Sequence, residues 1–152
     1  MAVSPPPPSS PSPDADRVAA VLAQLEADYG RFPQDQTYGL YAENVYFKDP
    51  TSEFRGRDRY RQTIAFIDRW FRHISLELHA IAVVSAAPTT IRSDWTLRWI
   101  APLPWQPAIA ISGWSELVLN PDGLIVSHVD HWHCTRWQVA LQHLGLSPQP
   151  QS

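Results

Sequence analysis

The residues best suited to chemistry lie close together between Ile109 and Cys134. His128 and Asp130 are separated by one residue, and Glu116 lies on the apolar run that precedes them. A histidine beside carboxylates is held in one tautomer and stays partly charged near neutral pH, and indole walls raise the pKa of a carboxyl group. Such groups can pass a proton to and from a bound molecule, so we predict Asp130 and His128 as an acid-base pair.

A reverse turn decides which of these side chains share a face. Asn120-Pro121-Asp122-Gly123 separates two apolar runs, and its proline and glycine are typical of a tight turn. A type I turn closed by a glycine bulge, which we favour, pairs Glu116 with His128 and Trp114 with Asp130, whereas a plain four-residue loop places Gly113 opposite Asp130. In the bulged register one face gathers Trp114, Glu116, His128, Asp130 and Trp132. The other face carries Ile111, Gly113, Leu117, Leu119, Ile125, Val129, His131 and His133.

Two further charged residues belong to the strand expected beside this hairpin. Asp94 and Arg98 share one face of that strand, with Trp95, Leu97 and Trp99 on the other. We therefore predict a ligand-binding set around the acid-base pair that consists of Trp114, Glu116, Trp132, Asp94 and Arg98. A purely structural role is the alternative: Glu116 and His128 satisfy each other, or Arg98 neutralises Asp130, because buried charges are normally paired.

The sequence offers little for other site chemistries. His131 and His133 form at most a two-ligand metal fragment, because His128 lies on the opposite face of the strand. We predict no metal and no cofactor, and we find no glycine-rich phosphate loop or nucleophile elbow. Four arginines at positions 55, 57, 59 and 61 predict either a solvated helix start or an anion site.

The periodicity of the chain predicts helices first and strands later. Apolar residues at helical spacing predict a first helix after Asp14 or Asp16, a shorter one over 34–41 and a third from Asp58 to about Phe71. A short strand over 44–48 and a loop over 51–56 separate the last two. Alternating patterns then predict long strands over 74–84 and 90–101 and in the hairpin, followed by a helix over 136–144. This order indicates an α+β fold, with a curved antiparallel sheet around three N-terminal helices.

Length and composition limit the number of domains and the possible partners of the chain. The 152 residues, 44% of them hydrophobic, suffice for one core, and we predict a disordered Pro/Ser-rich tail over 1–13, one pocket domain over 14–146 and a flexible C-terminus over 147–152. The net charge of −3 predicts no nucleic-acid or membrane partner. A single cysteine and the lack of a signal peptide or membrane span predict a soluble, cytoplasmic protein, with a homodimer through the exposed sheet face as an option.

Several motifs resemble one superfamily. The run from Tyr41 to Pro50, Phe54-Arg55-Gly56, Ser112-Gly113-Trp114 and Asp122-Gly123-Leu124-Ile125 look, in this order, like the nuclear-transport-factor-two-like (SnoaL-like) superfamily. The resemblance spans about residues 14–137, and within it SGWSEL and SHVDHW are similar to small uncharacterised cyanobacterial and plastid proteins. It implies a cone-shaped fold around a pocket, which the superfamily uses for isomerases, hydrolases, polyketide cyclases and binding modules.

The known enzymes of the superfamily match this sequence only in part. Asp94, Arg98 and Asp130 resemble the Asp-Arg-Asp set of its epoxide hydrolases, but in a different spacing and order. The ketosteroid-isomerase pattern would use Tyr29 or Tyr41 as oxyanion donors and Asp49 as base, although an Asp-Pro turn explains Asp49 as well. We therefore predict a small-molecule-binding pocket for an apolar or aromatic ligand. The alternative is a pocket enzyme of the isomerase, cyclase or hydrolase kind that uses Asp130 and His128.

Overall fold

The computed structural model describes residues 12–146 and shows helices packed on one face of a curved sheet. The helices are α1 (Ala15–Arg31), α2 (Arg57–Trp70) and α3 (Arg136–His143). The strands are β1 (Tyr41–Lys48), β2 (Glu53–Arg55), β3 (Arg72–Ala86), β4 (Thr89–Ile100), β5 (Ala108–Leu119) and β6 (Ile125–Trp132). The α+β cone expected from the sequence is confirmed. The predicted terminal segments lie outside the described residues, except for Ser12 and Pro13.

The sheet differs from the expected antiparallel one at a single junction. Its strand order is β2-β1-β6-β5-β4-β3, and β1 runs parallel to β6 while all other neighbours are antiparallel. The parallel pair arises because α2 and four strands separate β1 from β6 in the chain, so that no tight turn constrains their relative direction. The sheet is therefore mixed and unclosed.

The expected helix over 34–41 contracts to one 3₁₀ turn, Tyr38–Leu40. The buried carboxylate of Asp28 explains this, because it accepts hydrogen bonds from the backbone N–H of Thr37 at 2.9 Å and from its hydroxyl at 2.9 Å. Arg31 also pairs with Asp28. The segment after α1 is thus tied back to that helix, and its first residues do not continue into a second one.

The third predicted helix corresponds to α2, with its start shifted. Gly56, at φ +118°, occupies the N-cap position in place of Asp58, which lies in the first turn. The expected loop over 51–56 contains β2, which pairs with β1 around the Asp49 turn. The apolar side chains of α2 at helical spacing, with the Phe71 ring that follows them, face inward; they are Tyr60, Ile64 and Ile67.

Two clusters of buried apolar residues fill the space between helices and sheet. The first lies under α1 and α2 and includes Val21, Leu25, Val45, Ile64, Leu117 and Ile125. The second includes Trp95, Trp99, Ile109, Ile111 and Val139 of α3. The Gln142 side chain fixes α3 to the sheet, because its amide bonds both the N–H and the C=O of Ala110, at 2.8 and 3.0 Å. No helix among residues 12–146 is long and apolar enough to cross a membrane.

Candidate functional site

A cavity of about 500 Å³ lies between the helices and the inner face of the sheet, the face that α1 and α2 cover. Both apolar clusters contribute to its wall, so most of its lining is aliphatic or aromatic. Its polar side chains include Tyr29, Tyr60, Ser115, His128 and Asp130. An apolar enclosure with a few convergent polar groups is typical of small-molecule sites.

The register of β5 and β6 determines which residues reach this cavity. The turn forms as expected: Gly123 has φ +81° and donates its N–H to Asn120 O at 2.9 Å, and Leu119 pairs with Ile125. One residue later the register shifts, because Val118 pairs with Ser127 and Val126 is left as an extra residue, a second bulge. The predicted register, and with it the predicted face, is therefore wrong beyond Ile125.

The second bulge exchanges the partners of the candidate residues. His128 lies opposite Leu117, and Asp130 lies opposite Ser115. These four residues share the inner face, where His128, Asp130 and Trp132 line the cavity as a group. The alternative register, with Gly113 opposite Asp130, is also wrong, since Gly113 pairs with Trp132. Gly113 is required there, because a Cβ on it would lie 2.1 Å from His131 O.

A chain of hydrogen bonds converges on the Asp130 carboxylate. The Trp95 indole donates to Ser115 Oγ at 2.9 Å, and Ser115 Oγ lies 2.5 Å from Asp130 Oδ1. Because an indole N–H can only donate, Ser115 accepts from Trp95 and has its own proton free for Asp130. His128 Nε2 lies 2.7 Å from the same oxygen. Both bonds reach Oδ1, and no side chain among residues 12–146 bonds to Oδ2.

Aromatic rings enclose the His128 imidazole. The rings of Tyr41, Phe47 and Tyr60 lie 6.1, 4.8 and 5.9 Å from it, centroid to centroid. Its Nδ1 atom is buried, and no partner bonds to it within the described part of the chain. A proton on Nδ1 would therefore have no acceptor, which favours the tautomer whose Nε2–H donates to Asp130. His128 thus acts as a donor that orients the carboxylate.

The cavity tyrosines stay protonated well beyond neutral pH. Burial raises the pKa of Tyr29 to about 12, and the nearby Asp130 charge adds to the effect. Burial also raises the pKa of Tyr41 and of Tyr60 well above the usual value. The Tyr29 hydroxyl bonds Ser93 Oγ at 2.6 Å. These phenols are neutral hydrogen-bonding groups beside an apolar space.

The rest of the predicted ligand-binding set lies on the outer face of the sheet, away from the cavity. The Trp114 ring stacks on His131 at 4.8 Å and lies under the Arg92 guanidinium at 5.0 Å. Glu116 is 3.6 Å from His131 rather than beside His128. The prediction that Trp114 and Glu116 share one pocket with Asp130 is therefore wrong, because the bulge at Val126 turns β6 over relative to β5.

Asp94 and Arg98 also differ from the prediction. They share one face of β4 as expected, but that face is the outer one, since Trp95, Leu97 and Trp99 line the cavity. Asp94 pairs with Arg92 at 3.1 Å and Arg98 with Glu77 at 3.3 Å. Arg98 therefore does not neutralise Asp130, and an Asp-Arg-Asp arrangement is not formed.

The remaining candidate residues take part in turn hydrogen bonds or ring contacts. Asp49 Oδ1 accepts from the backbone N–H groups of Thr51 and Ser52, both at 2.7 Å, which accounts for this carboxylate as part of a turn at the cavity rim. The arginines diverge: Arg55, Arg59 and Arg61 each lie over a different ring. His131 and His133 both contact the Trp114 ring. Residues 12–146 contain no group of three His, Cys, Asp or Glu side chains placed to hold a metal ion.

Sequence reasoning missed three residues of the site. Ser115 and Trp95 complete the chain to Asp130, and Tyr60 encloses His128. Ser115 could have been found if the register had been known, since it alternates with Gly113 and Leu117 on one face. Tyr60 belongs to the apolar repeat of the third predicted helix, and such a repeat looks the same whether it borders a core or a cavity.

Comparisons with known proteins identify the family and the fold. Residues 19–128 match the model of a family described as an uncharacterized conserved protein (DUF2358), which is more than half of the chain, and the protein belongs to this family. None of the curated proteins matches the chain.

Solved structures share the whole fold at low identity. A protein of Xanthomonas campestris pv. campestris assigned as a polyketide cyclase has a TM-score of 0.64 at 15% identity, over 84% of this chain and 97% of that one. A Mycobacterium tuberculosis LEH-like epoxide hydrolase has a TM-score of 0.64 at 12% identity, over 88% and 93%. A Catenulispora acidiphila protein with a ketosteroid isomerase-like fold, in complex with trimethylamine, has a TM-score of 0.62 at 14% identity, over 83% and 92%. At these identities the similarity shows the nuclear-transport-factor-two-like fold.

Proposed function

We propose that the protein binds one apolar or aromatic small molecule in the cavity between the helices and the sheet. The observation that carries this proposal is the partly open cavity of about 500 Å³, whose apolar wall meets the polar side chains around Asp130. A volume of this size lies within the range used for drug-sized ligands. Proteins with the same fold are described as a polyketide cyclase and an epoxide hydrolase, names that imply small organic substrates.

Filling the cavity tests this proposal. Leu97 lines the cavity on β4, so Leu97→Trp places an indole in the space, whereas Val118→Trp adds the same ring to the outer face of β5. The neutral fluorophore N-phenyl-1-naphthylamine is a suitable probe, with energy transfer from the cavity tryptophans as the readout. Wild type and Val118→Trp should bind it in a 1:1 ratio, and Leu97→Trp should bind at least about tenfold more weakly. Equal affinity in Leu97→Trp would place the probe outside the cavity and contradict the proposal.

A second candidate function is proton transfer to or from the bound molecule by Asp130, with His128 as its positioning donor. The supporting observation is that no arginine or lysine among residues 12–146 pairs with Asp130. Ser115 and His128 both bond to Oδ1, and no side chain in the described part of the chain bonds to Oδ2, which leaves that oxygen able to contact a ligand. A carboxylate held by donors in an apolar space is a suitable general base. An isomerase, cyclase or hydrolase would each use such a group.

Deuterium exchange distinguishes a protein that catalyses proton transfer from one that only binds its ligand. The α-carbon protons of 2-tetralone, an apolar bicyclic ketone, exchange in D₂O at a rate that NMR measures. Asp130→Asn should lose roughly a hundredfold of any protein-catalysed exchange while ketone binding persists, and Glu116→Gln on the outer face is the matched control. If wild type binds the ketone but does not exceed Asp130→Asn in exchange, the pocket only binds.

A further inference from the structure

The exposed apolar side chains of this protein are concentrated in three segments. Among residues 12–146, large hydrophobic side chains with high exposure are Phe66, Trp70, Val83, Val84, Trp105, Trp137, Leu141, Leu144 and Leu146. All but the two valines belong to the end of α2, the loop between β4 and β5, or α3 and the residues after it. Solvent-exposed tryptophan is unusual, and Trp137 is 73% exposed.

These three segments form one end of the molecule, defined here as the apolar end. Ring contacts run from Phe66 to Phe71 at 6.5 Å, from Phe71 to Trp99 at 4.8 Å and from Trp99 to His143 at 6.4 Å. His143 O in turn accepts from the Trp105 indole at 2.7 Å. The end of α2, the loop and α3 are therefore in contact through a continuous row of rings.

The apolar end also borders the cavity. Phe71, Trp99 and His143 line the cavity, and so does Phe66, although that side chain is 58% exposed. On α3, Val139 faces the cavity, whereas Trp137, Leu141 and Leu144 recur at helical spacing on the opposite, exposed side. The same end of the protein thus presents an apolar surface and forms part of the wall of an apolar space.

The charge at this end is opposite to that of the whole chain. Its segments, residues 66–73, 101–107 and 135–146, contain three arginines, Arg69, Arg72 and Arg136, and one acidic residue, Asp68. All three arginines are exposed. The chain as a whole has a formal charge of −3. The net charge predicted no membrane partner, but it conceals a local excess of arginine beside exposed tryptophans.

We propose that the apolar end docks on an anionic phospholipid bilayer, with the side of the cavity that Phe66, Phe71 and His143 line turned towards the membrane. Tryptophan and leucine side chains enter the interfacial region, and Arg69, Arg72 and Arg136 contact the anionic headgroups. Docking itself follows from this surface alone. That the cavity takes its apolar ligand from the bilayer rests additionally on the proposed function, and it names the ligand class as one that partitions into membranes.

Vesicle flotation with the full chain tests the docking. The probes are vesicles of phosphatidylcholine alone and of phosphatidylcholine mixed with phosphatidylglycerol. Wild type should float with the mixed vesicles and much less with phosphatidylcholine alone, and added sodium chloride should weaken the binding. Trp137→Ser with Leu141→Ser should reduce vesicle binding at least about tenfold, while Val83→Ser with Val84→Ser, at positions that are also exposed but lie on β3, should leave it unchanged.

Two double variants, each lacking two arginines, distinguish binding to anionic lipid from nonspecific adsorption. Arg69→Gln with Arg136→Gln should weaken binding to the mixed vesicles by more than about tenfold, as expected for two arginines near an anionic surface. Arg55→Gln with Arg61→Gln, which changes the charge equally elsewhere, is the control. Circular dichroism establishes that all variants are folded.

Three results would overturn the docking proposal. They are failure of the wild type to bind either kind of vesicle, equal effects of the two arginine pairs, and a changed molecular mass of the serine variants in light scattering without a change in flotation. The last outcome would mean that a second copy of the chain covers the apolar end. Probe binding measured without vesicles tests the cavity separately, so failure of the docking and failure of the proposed function are distinguishable.

Discussion

The two faces of the β5–β6 hairpin carry the same residue types in different surroundings. On the inner face, Asp130 and His128 lie 2.7 Å apart, with side chains only 18% and 9% exposed. On the outer face, Glu116 and His131 lie 3.6 Å apart, with side chains 50% and 40% exposed. Solvent screens the outer pair, so it contributes little, whereas enclosure strengthens every electrostatic interaction of the inner pair. Surroundings, rather than residue types, make the inner pair a candidate for chemistry.

The largest expected loss of stability comes from a change in which residues of β6 face inward. Deletion of Val129 would shift Asp130 and Trp132 to the outer face and turn His131 into the cavity. Deletion of Val126 removes only the extra residue of the bulge and keeps His128 inward. We expect the first deletion to lower the free energy of unfolding by at least about 4 kcal/mol and the second by about 1–2 kcal/mol, measured by urea denaturation. Equal losses would contradict the assigned role of the bulge.

A second test uses the pH dependence of stability on the inner face. Tyr29 has a folded-state pKa of about 12, above the usual value of 10, so between those pH values the unfolded chain releases a proton that the folded protein keeps. Stability from this group is complete below pH 10 and is lost as pH rises towards 12, by roughly 2 kcal/mol. The pKa values of Tyr41 and Tyr60 are also raised, so these groups add to the same decline. Tyr29→Phe should therefore make the decline shallower without abolishing it, in denaturation curves recorded between pH 9 and 12. A decline of the same slope in Tyr29→Phe would assign the effect to other groups.

The smallest expected effects come from removing the carboxylate of each pair and comparing the two losses of stability. Asp130→Ala leaves the Ser115 hydroxyl and the His128 N–H without their acceptor and should cost roughly 1–2 kcal/mol, since water in the cavity replaces part of the lost bonding. Glu116→Ala removes only a solvent-screened contact and should cost less than about 0.5 kcal/mol. Thermal denaturation near neutral pH measures both. If Glu116→Ala were the more destabilising change, the outer pair would be the stronger one.

Much of the fold is visible in local patterns. Asp14 caps α1 with a side-chain bond to Arg17 N at 2.9 Å, as its position before the first apolar repeat predicts. The turn at Asn120-Pro121-Asp122-Gly123 forms with the predicted glycine geometry. Gly145, at φ +73°, follows α3 as expected for a helix stop. These features depend on residues a few positions apart, so the sequence contains everything that they need.

The positions of the site residues could not be predicted in the same way. That Asp130, His128 and Trp132 share a face follows from the sequence, because alternation along one strand is a local property. Which face of β5 they join depends on contacts between distant segments, since the bulge at Val126 depends on how β6 pairs with both β5 and β1. The enclosure of His128 by Tyr41, Phe47 and Tyr60 likewise depends on β1 and α2 meeting in space. One extra residue in a strand reverses every later side chain, and no local pattern records that reversal.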